Sequence, residues 1–364
     1  MRLGVEAALV DGRLVPGDVE VRDGRVHRFG IRRGNGRSGI ASPGFVDLQV
    51  NGFGGVDFAN ADAPAYDRAG EALLETGVTS YLPTLITAPE EALVGALREV
   101  PPTARGPRIL GVHVEGPFLA AARMGTHLLE GRRDPDPELL ERLLDAGPVR
   151  LVTLAPELPG ALELIDILLA RGVAVSCGHT DATAEEAEIA FDRGALAVTH
   201  LFNAMRPFRH RDPGIAGAAL VRDDVVVQLI LDGHHVADET ALLVWRASAG
   251  RLALVTDAMA GAGQGDGRYR LGDVEVEVRD GSARSADDVL AGSVLTMVQA
   301  VRNLHALGVP LADALVAATA VPARVVGAAG LGRIERGAPA DLVVLDDNLE
   351  LTRVLVGGES LVAA

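Results

Sequence analysis

Residues 173–180 read VAVSCGHT, a short β-branched apolar run that ends in a histidine, His179. Three other runs also end in residues capable of hydrolytic chemistry: Glu115 in VHVEGP (112–117), His200 in VTHLF (198–202) and Asp257 in VTDAM (255–259). Working outward, eight such runs follow one another: GFVDLQV from Gly44, TSYLPTL from Thr79, RILGVHV from Arg108, VRLVTLAP from Val149, VAVSCG from Val173, ALAVTH from Ala195, VVVQLIL from Val225 and LALVT from Leu252. Enough chain for a helix separates each from the next, which is the pattern of βα units around a buried parallel sheet. The expected fold class is therefore α/β, a (β/α)8 TIM barrel. Such a barrel builds its active site at the carboxyl ends of its strands, so the four residues ending strands three, five, six and eight should face one mouth.

The ends of the chain follow a different pattern. Residues 1–42 alternate in short strand-like pieces with turns at Asp11-Gly12 and Asp23-Gly24, and residues 331–364 do the same in GRIERGAPADLVVLD and LTRVLVGGES. Isolated hairpins this short are marginal, so both ends are expected to join in one small β-sandwich beside a barrel spanning 43–330. A further β-rich excursion, from about Gly263 to Asp280, follows strand eight over or beside the mouth.

The chain has 364 residues, 48% of them hydrophobic, which is ample for a barrel with an appendage. Its net charge of −16 argues against a nucleic-acid partner. No apolar stretch reaches the roughly 18 residues of a membrane span, and the amino terminus meets Glu6 and Asp11 too soon for a signal peptide. The expected location is cytoplasmic, with no membrane partner. The lone Cys177 excludes an intramolecular disulfide framework. All 34 basic residues are arginine, which removes Schiff-base catalysis, a P-loop and a carboxylated lysine bridging two metals.

A catalytic zinc or ferrous ion takes three protein ligands of the His, Glu or Asp type and keeps a position open. Glu115, His179 and His200 supply that number, although singly a core histidine or a helix-capping carboxylate would read the same way. Asp257 suits a general base and acid beside the metal. On strand one, Asp47, Gln49 and Asn51 share a face by the period of two. Histidines at the last two positions would add a second metal site, but amides are poor ligands, so one divalent ion, Zn2+ or Fe2+, is expected. His127, in MGTHL, can donate to a carbonyl near the metal. His234 and His235 follow strand seven in the same upper layer. Arg209 and Arg211, in RPFRHRDPG, form the densest cationic loop, suited to a phosphate, and the amides of Asn203 and Ala204 would help if they open a helix.

The ordered set PGFVDLQVNGFGG, HVEGPF, GTH, GHT, THLFNAM, RDPG, DGHH, VTDAM, LAGSVLTM and PAR closely resembles the N-acetylglucosamine-6-phosphate deacetylase family of the amidohydrolase superfamily, from Pro43 to Arg324. The resemblance implies Glu115, His179 and His200 as metal ligands, Asp257 as the catalytic carboxylate and His127 near the acyl carbonyl. Further substrate positions implied are Thr126, Asn203, Ala204, Arg211, Asp232, Gly233, His234, His235, Leu290, Ala291 and Gly292. It also implies a homodimer in which Arg211 reaches the neighbouring active site. His234 departs from the family, where many members carry an apolar residue. The expected reaction is deacetylation of N-acetylglucosamine 6-phosphate in amino-sugar metabolism. The alternatives are another N-acyl sugar phosphate or a cyclic amide as substrate, or a barrel that has lost catalysis.

Overall fold

The eight apolar runs form eight parallel strands: β1 Phe45–Val50, β2 Val78–Ile86, β3 Val112–Glu115, β4 Val149–Leu154, β5 Ala174–Cys177, β6 Ala197–Val198, β7 Val226–Leu229 and β8 Leu252–Leu254. They belong to a computed structural model that describes residues 1–32, 38–328 and 330–363. Residues 33–37, 329 and 364, which fall within the expected terminal and barrel segments, lie outside the described residues. Each strand pairs in parallel with its sequence neighbour from β1 to β8. Closure comes just beyond β8, where Val50 and Ala258 form an isolated parallel bridge and the Asn51 N–H donates to Ala258 O at 2.7 Å. Every residue of β2 is buried, as expected for a strand covered on both faces.

Most strands are shorter than their apolar runs, and in two of them the backbone shows why. The run from Arg108 pairs with β2 at Arg108–Ile109 and breaks before resuming at Val112. The intervening Gly111 has φ +132°, and a Cβ there would lie 2.7 Å from Pro148 O, so the backbone itself interrupts the ladder. β6 keeps only Ala197–Val198 of its run, because Thr199 and His200 turn out of the sheet.

The outer layer is helical, and the local chemistry is plain in the helix Ala184–Arg193, which follows β5. Thr183 and Glu186 form a reciprocal capping box at its start, and Gly194, at φ 115°, ends it in the left-handed region. It buries Ala187, Ala190 and Phe191, the last contributing about 1.5–3 kcal/mol by burial.

Both chain ends meet as expected. A six-stranded sheet takes Arg13–Pro16, Ala7–Val10 and Ile40–Pro43 from one end and Leu342–Leu345, Leu351–Val356 and Glu359–Ala363 from the other. A ribbon of Asp18–Arg22 and Arg25–Ile31 faces it across a separate apolar core that includes Leu3, Val5, Val19, Val26 and Leu342. Asp11-Gly12 and Asp23-Gly24 both have positive φ through the turn, the conformation a tight hairpin demands. The excursion after β8 is a three-stranded antiparallel sheet, Gly267–Leu271, Val274–Arg279 and Ser282–Ser285. It packs through Leu271, Val276, Val278 and Ala283 onto Ile86 at the end of β2.

Candidate metal centre and substrate cavity

His179, His200 and Asp257 leave their strands at φ 48°, 29° and 51°, conformations that L side chains rarely adopt. Each costs on the order of 1–3 kcal/mol and persists because the surrounding structure holds it. Together with Glu115, at the end of β3, they stand buried at one mouth of the barrel.

Glu115, His179 and His200 converge on one point. Glu115 Oε1 lies 3.1 Å from His179 Nε2 and 3.0 Å from His200 Nε2, and the two nitrogens are 3.2 Å apart. His179 Nδ1 is 2.9 Å from Arg123 O, and a carbonyl can only accept, so the ring hydrogen sits on Nδ1 and Nε2 presents a lone pair. A proton on His200 Nε2 could satisfy only one of its two electron-rich neighbours. A divalent cation satisfies all three, and ligand bonds of about 2.0–2.2 Å would place tetrahedral ligands roughly 3.3–3.5 Å apart. The donor set therefore fits a divalent ion, with the Arg123 carbonyl orienting His179 from behind. Burial pushes the Glu115 carboxyl up, but contact with His127, His179 and His200 outweighs it and holds the group well below the ordinary carboxylate range.

The strand-one amides act on these carboxylates. Gln49 Nε2 donates to Glu115 Oε1 at 3.0 Å, and Asn51 Nδ2 donates to Asp257 Oδ1 at 2.7 Å. Both amides thus hold acids through N–H groups. Asp47, deeper on the strand, accepts from Thr256 Oγ1 at 2.6 Å, and burial raises it to about 7. Burial and the nearby Glu115 carboxylate raise Asp257 to about 6. His127 Nε2 is 3.6 Å from Glu115 Oε2, and burial followed by the neighbouring His179 pushes its ring down to about 4, leaving it neutral. His113 lies in the barrel core, bonded through Nε2 to Thr153 Oγ1 at 2.8 Å and through Nδ1 to Leu48 O at 3.1 Å.

A cavity of about 370 Å³ opens over this group, lined also by Thr126, Asn203, Ala204, His235, Leu290 and Gly292. Thr126 Oγ1 and His127 Nδ1 are buried without a hydrogen-bond partner among the described residues, as groups awaiting a ligand would be. His235 is oriented by Asp232, whose Oδ2 is 2.7 Å from His235 Nδ1. Burial pushes the Asp232 carboxyl up, but His235 and backbone N–H groups bring it below its ordinary value.

Other expected positions lie elsewhere. Asp232, Gly233, His234, Ala291 and Arg211 are not in the cavity wall. Ala291 is packed under the three-stranded sheet, His234 and Gly233 are exposed, and Arg211 is exposed on the loop before the helix Gly214–Val221. Asn203 and Ala204 do not open a helix. They sit in a run of turns, where the Asn203 N–H donates to His200 O at 3.0 Å and Ala204 has φ 49°. The cavity also takes Leu271, Arg284, Asp288 and Val289 from the sheet after β8 and the strap that follows it, none of which stood out in the sequence. Their only signal was the alternation of that excursion.

Gly292 sets a tight approach at Asp257. At φ +61° a Cβ would stand 2.9 Å from Asp257 O, the carbonyl that accepts the Ser293 N–H at 2.8 Å. Gly292→Ala is expected to cost about 1–3 kcal/mol of stability and to lower kcat by shifting Asp257. Wild-type melting and turnover in that variant would dismiss the contact as unimportant.

An acid and two imidazoles aimed at one point, faced by a second buried carboxylate at the mouth of an eight-stranded barrel, define a metal-dependent barrel hydrolase. The model of the amidohydrolase family, whose members are metal-dependent, matches residues 40–361, and the chain belongs to that family. It is 39% identical to human N-acetylglucosamine-6-phosphate deacetylase, over 96% of this chain and 92% of that protein. It is 36% identical to N-acetylgalactosamine-6-phosphate deacetylase of Escherichia coli O157:H7, over 88% of this chain and 87% of that one. Among solved structures, an aspartate-to-alanine variant of the Mycobacterium smegmatis N-acetyl-D-glucosamine-6-phosphate deacetylase in complex with N-acetyl-D-glucosamine-6-phosphate superposes with a TM-score of 0.94. That match is 39% identical and covers 100% of this chain and 99% of the other.

Proposed function

We propose that this chain hydrolyses N-acetylglucosamine 6-phosphate to glucosamine 6-phosphate and acetate. The observation that carries the reading is the convergence of Glu115, His179 and His200 beside Asp257 and His127, within a fold shared end to end with deacetylases of phosphorylated amino sugars.

A zinc or ferrous ion held by Glu115, His179 and His200 would supply a Lewis acid and draw the pKa of a water toward about 7. Asp257 accepts that water's proton. Its Oδ1 is held by Asn51, which leaves Oδ2 to face the reaction. As the water oxygen bonds to the acetamido carbon, neutral His127 donates an N–H to the carbonyl oxygen, an interaction that strengthens as charge develops there. Asp257 then returns the proton to the nitrogen as the C–N bond breaks, so one residue serves as base and then acid. Thr126, His235 and the turn at Asn203–Ala204 position the sugar, and Leu290 and Gly292 wall the ring. Because Gln49 and Asn51 present N–H groups to the two carboxylates, one ion per subunit is the reading we favour over two.

Arg211 lies outside its own cavity wall, which supports a homodimer in which it reaches the neighbouring site. A sugar phosphate is a charged cytoplasmic metabolite, so we assign the enzyme to the cytoplasm; among the described residues no helix is long and apolar enough to cross a membrane. The separate terminal core supports domain limits at 42/43 and 330/331.

Acetate release from N-acetylglucosamine 6-phosphate and its galactosamine epimer, with metal measured on the same sample, tests the proposal. We expect about one divalent ion per subunit and a preference for the glucosamine epimer. A protein with no bound zinc or iron, and no acetate release when either is added, would falsify it. A preference for the galactosamine epimer, the substrate in the name of one relative, would change the sugar and keep the chemistry.

A further inference from the structure

Arg284 is the one arginine in the cavity wall among the described residues, and it comes from the sheet inserted after β8. Its backbone bridges Leu290 in an antiparallel pair, and two residues further on Gly292 abuts the Asp257 carbonyl. Along an extended strap two residues advance about 7 Å, and one strand spacing adds about 4.8 Å sideways. That offset is on the scale of a hexose ring with a substituent at each end. The hairpin turn before Arg284 lies against the loop that carries His235, since a Cβ on Gly281 would be 4.0 Å from His234 Nε2. Arg284 is therefore set one strand spacing and two residues away from the segment that abuts the reacting acid, and its hairpin borders the loop that carries His235.

The guanidinium is held but not exhausted. Nη1 donates to Asp288 O at 3.0 Å and Oδ1 at 3.2 Å, and Nε donates to Ser282 Oγ at 3.2 Å. Among the described residues Nη2 makes no hydrogen bond, so two N–H groups are left for a ligand. The rest of the wall contributes acids, imidazoles, neutral amide and hydroxyl groups and apolar groups, so among the described residues a dianion entering it finds no other full positive side chain from this chain. Guanidinium is the group suited to phosphate oxygens.

We propose that Arg284 binds the 6-phosphate of the substrate from within the same subunit, with Asp288 holding its fork in place. This rests on the deacetylase reading and adds a phosphate contact that does not depend on a second subunit. Substrate discrimination thus lies partly in the inserted sheet.

The test compares wild type, Arg284→Ala and Arg284→Lys on N-acetylglucosamine 6-phosphate and on unphosphorylated N-acetylglucosamine, with inorganic phosphate as competitive inhibitor. In Arg284→Ala the ratio of kcat/KM for phosphorylated over unphosphorylated sugar is expected to fall about ten- to hundredfold, mainly through KM, as for loss of a charge-assisted bond. The phosphate inhibition constant should rise in parallel, and Arg284→Lys, which keeps the charge without the fork, should fall between. Melting temperature and metal content show whether each variant is folded. An unchanged ratio in a folded Arg284→Ala, or equal losses on both sugars, overturns the proposal. Failure of the deacetylase reading is distinguishable, because wild type itself would then release no acetate.

Discussion

Asp257→Asn is expected to lower kcat by about 10²- to 10⁴-fold while metal content and KM stay near their wild-type values. The substitution is isosteric, and its carbonyl oxygen can still accept the 2.7 Å hydrogen bond from Asn51 Nδ2. What disappears is the second carboxylate oxygen, the only part able to take a proton from water and return it to nitrogen. The three proposed ligands are untouched, so a variant that loses its metal would point to a structural role instead. The pH profile provides an independent reading. Burial, then Glu115, raises Asp257 to about 6, and a base must be ionised to act, so wild-type kcat/KM should fall as pH drops through that region. A divalent ion close by shifts the limb to lower pH. Residual activity in Asp257→Asn should lack it, and a kcat close to wild type would remove Asp257 from the mechanism.

The second large effect concerns Arg211 and the proposed homodimer, and requires two variants in one assembly. Arg211→Ala alone should raise KM for the phosphorylated sugar, and Asp257→Asn alone should be nearly inactive. If Arg211 serves the neighbouring site, co-expressing the two restores activity, because the Asp257→Asn subunit lends its arginine to the intact acid of its partner. Random pairing makes about half the dimers mixed, each with one complete site, so about a quarter of wild-type sites should recover. An arginine acting within its own subunit leaves every site in the mixed dimer incomplete. Activity no greater than the sum of the separate variants would therefore refute the shared site. The exposed placement of Arg211, away from its own cavity wall, is what makes the first outcome the expected one.

The barrel was legible because strands buried on both faces read as mainly apolar runs, and all eight did even with Asp47 and Gln49 in the first and Gln228 in the seventh. Side-chain pattern does not encode backbone conformation, which is why the break at Gly111 and the early end of β6 went unseen. Glu115, His179, His200 and Asp257 were legible for the same reason as the strands: position at a strand end is a matter of counting. The loops were harder. Asn203 and Ala204 would have aided a phosphate if they opened a helix, but positive φ at Phe202 and Ala204 turns the chain there, and the next helix begins only at Gly214. Gln49 and Asn51 were read as ligands missing from a second metal site, whereas their N–H groups orient the acids. That distinction depends on which atom faces the carboxylate, and residue type alone does not specify it. Arg284 was invisible because its place in the wall is set by how the inserted sheet folds over the mouth.

The seam that closes the barrel has a kinetic consequence. Val50 bridges Ala258, Asn51 reaches both the Ala258 carbonyl and the Asp257 side chain, and Asp47 holds Thr256, so the first and last strands meet at the reactive acid. These contacts join segments some 200 residues apart, the kind of loop closure that slows folding. During refolding, secondary structure and much of the apolar burial should recover first, and turnover should lag until the ring is complete. The appearance of activity would then serve as a clock for the final long-range event in the assembly of the chain.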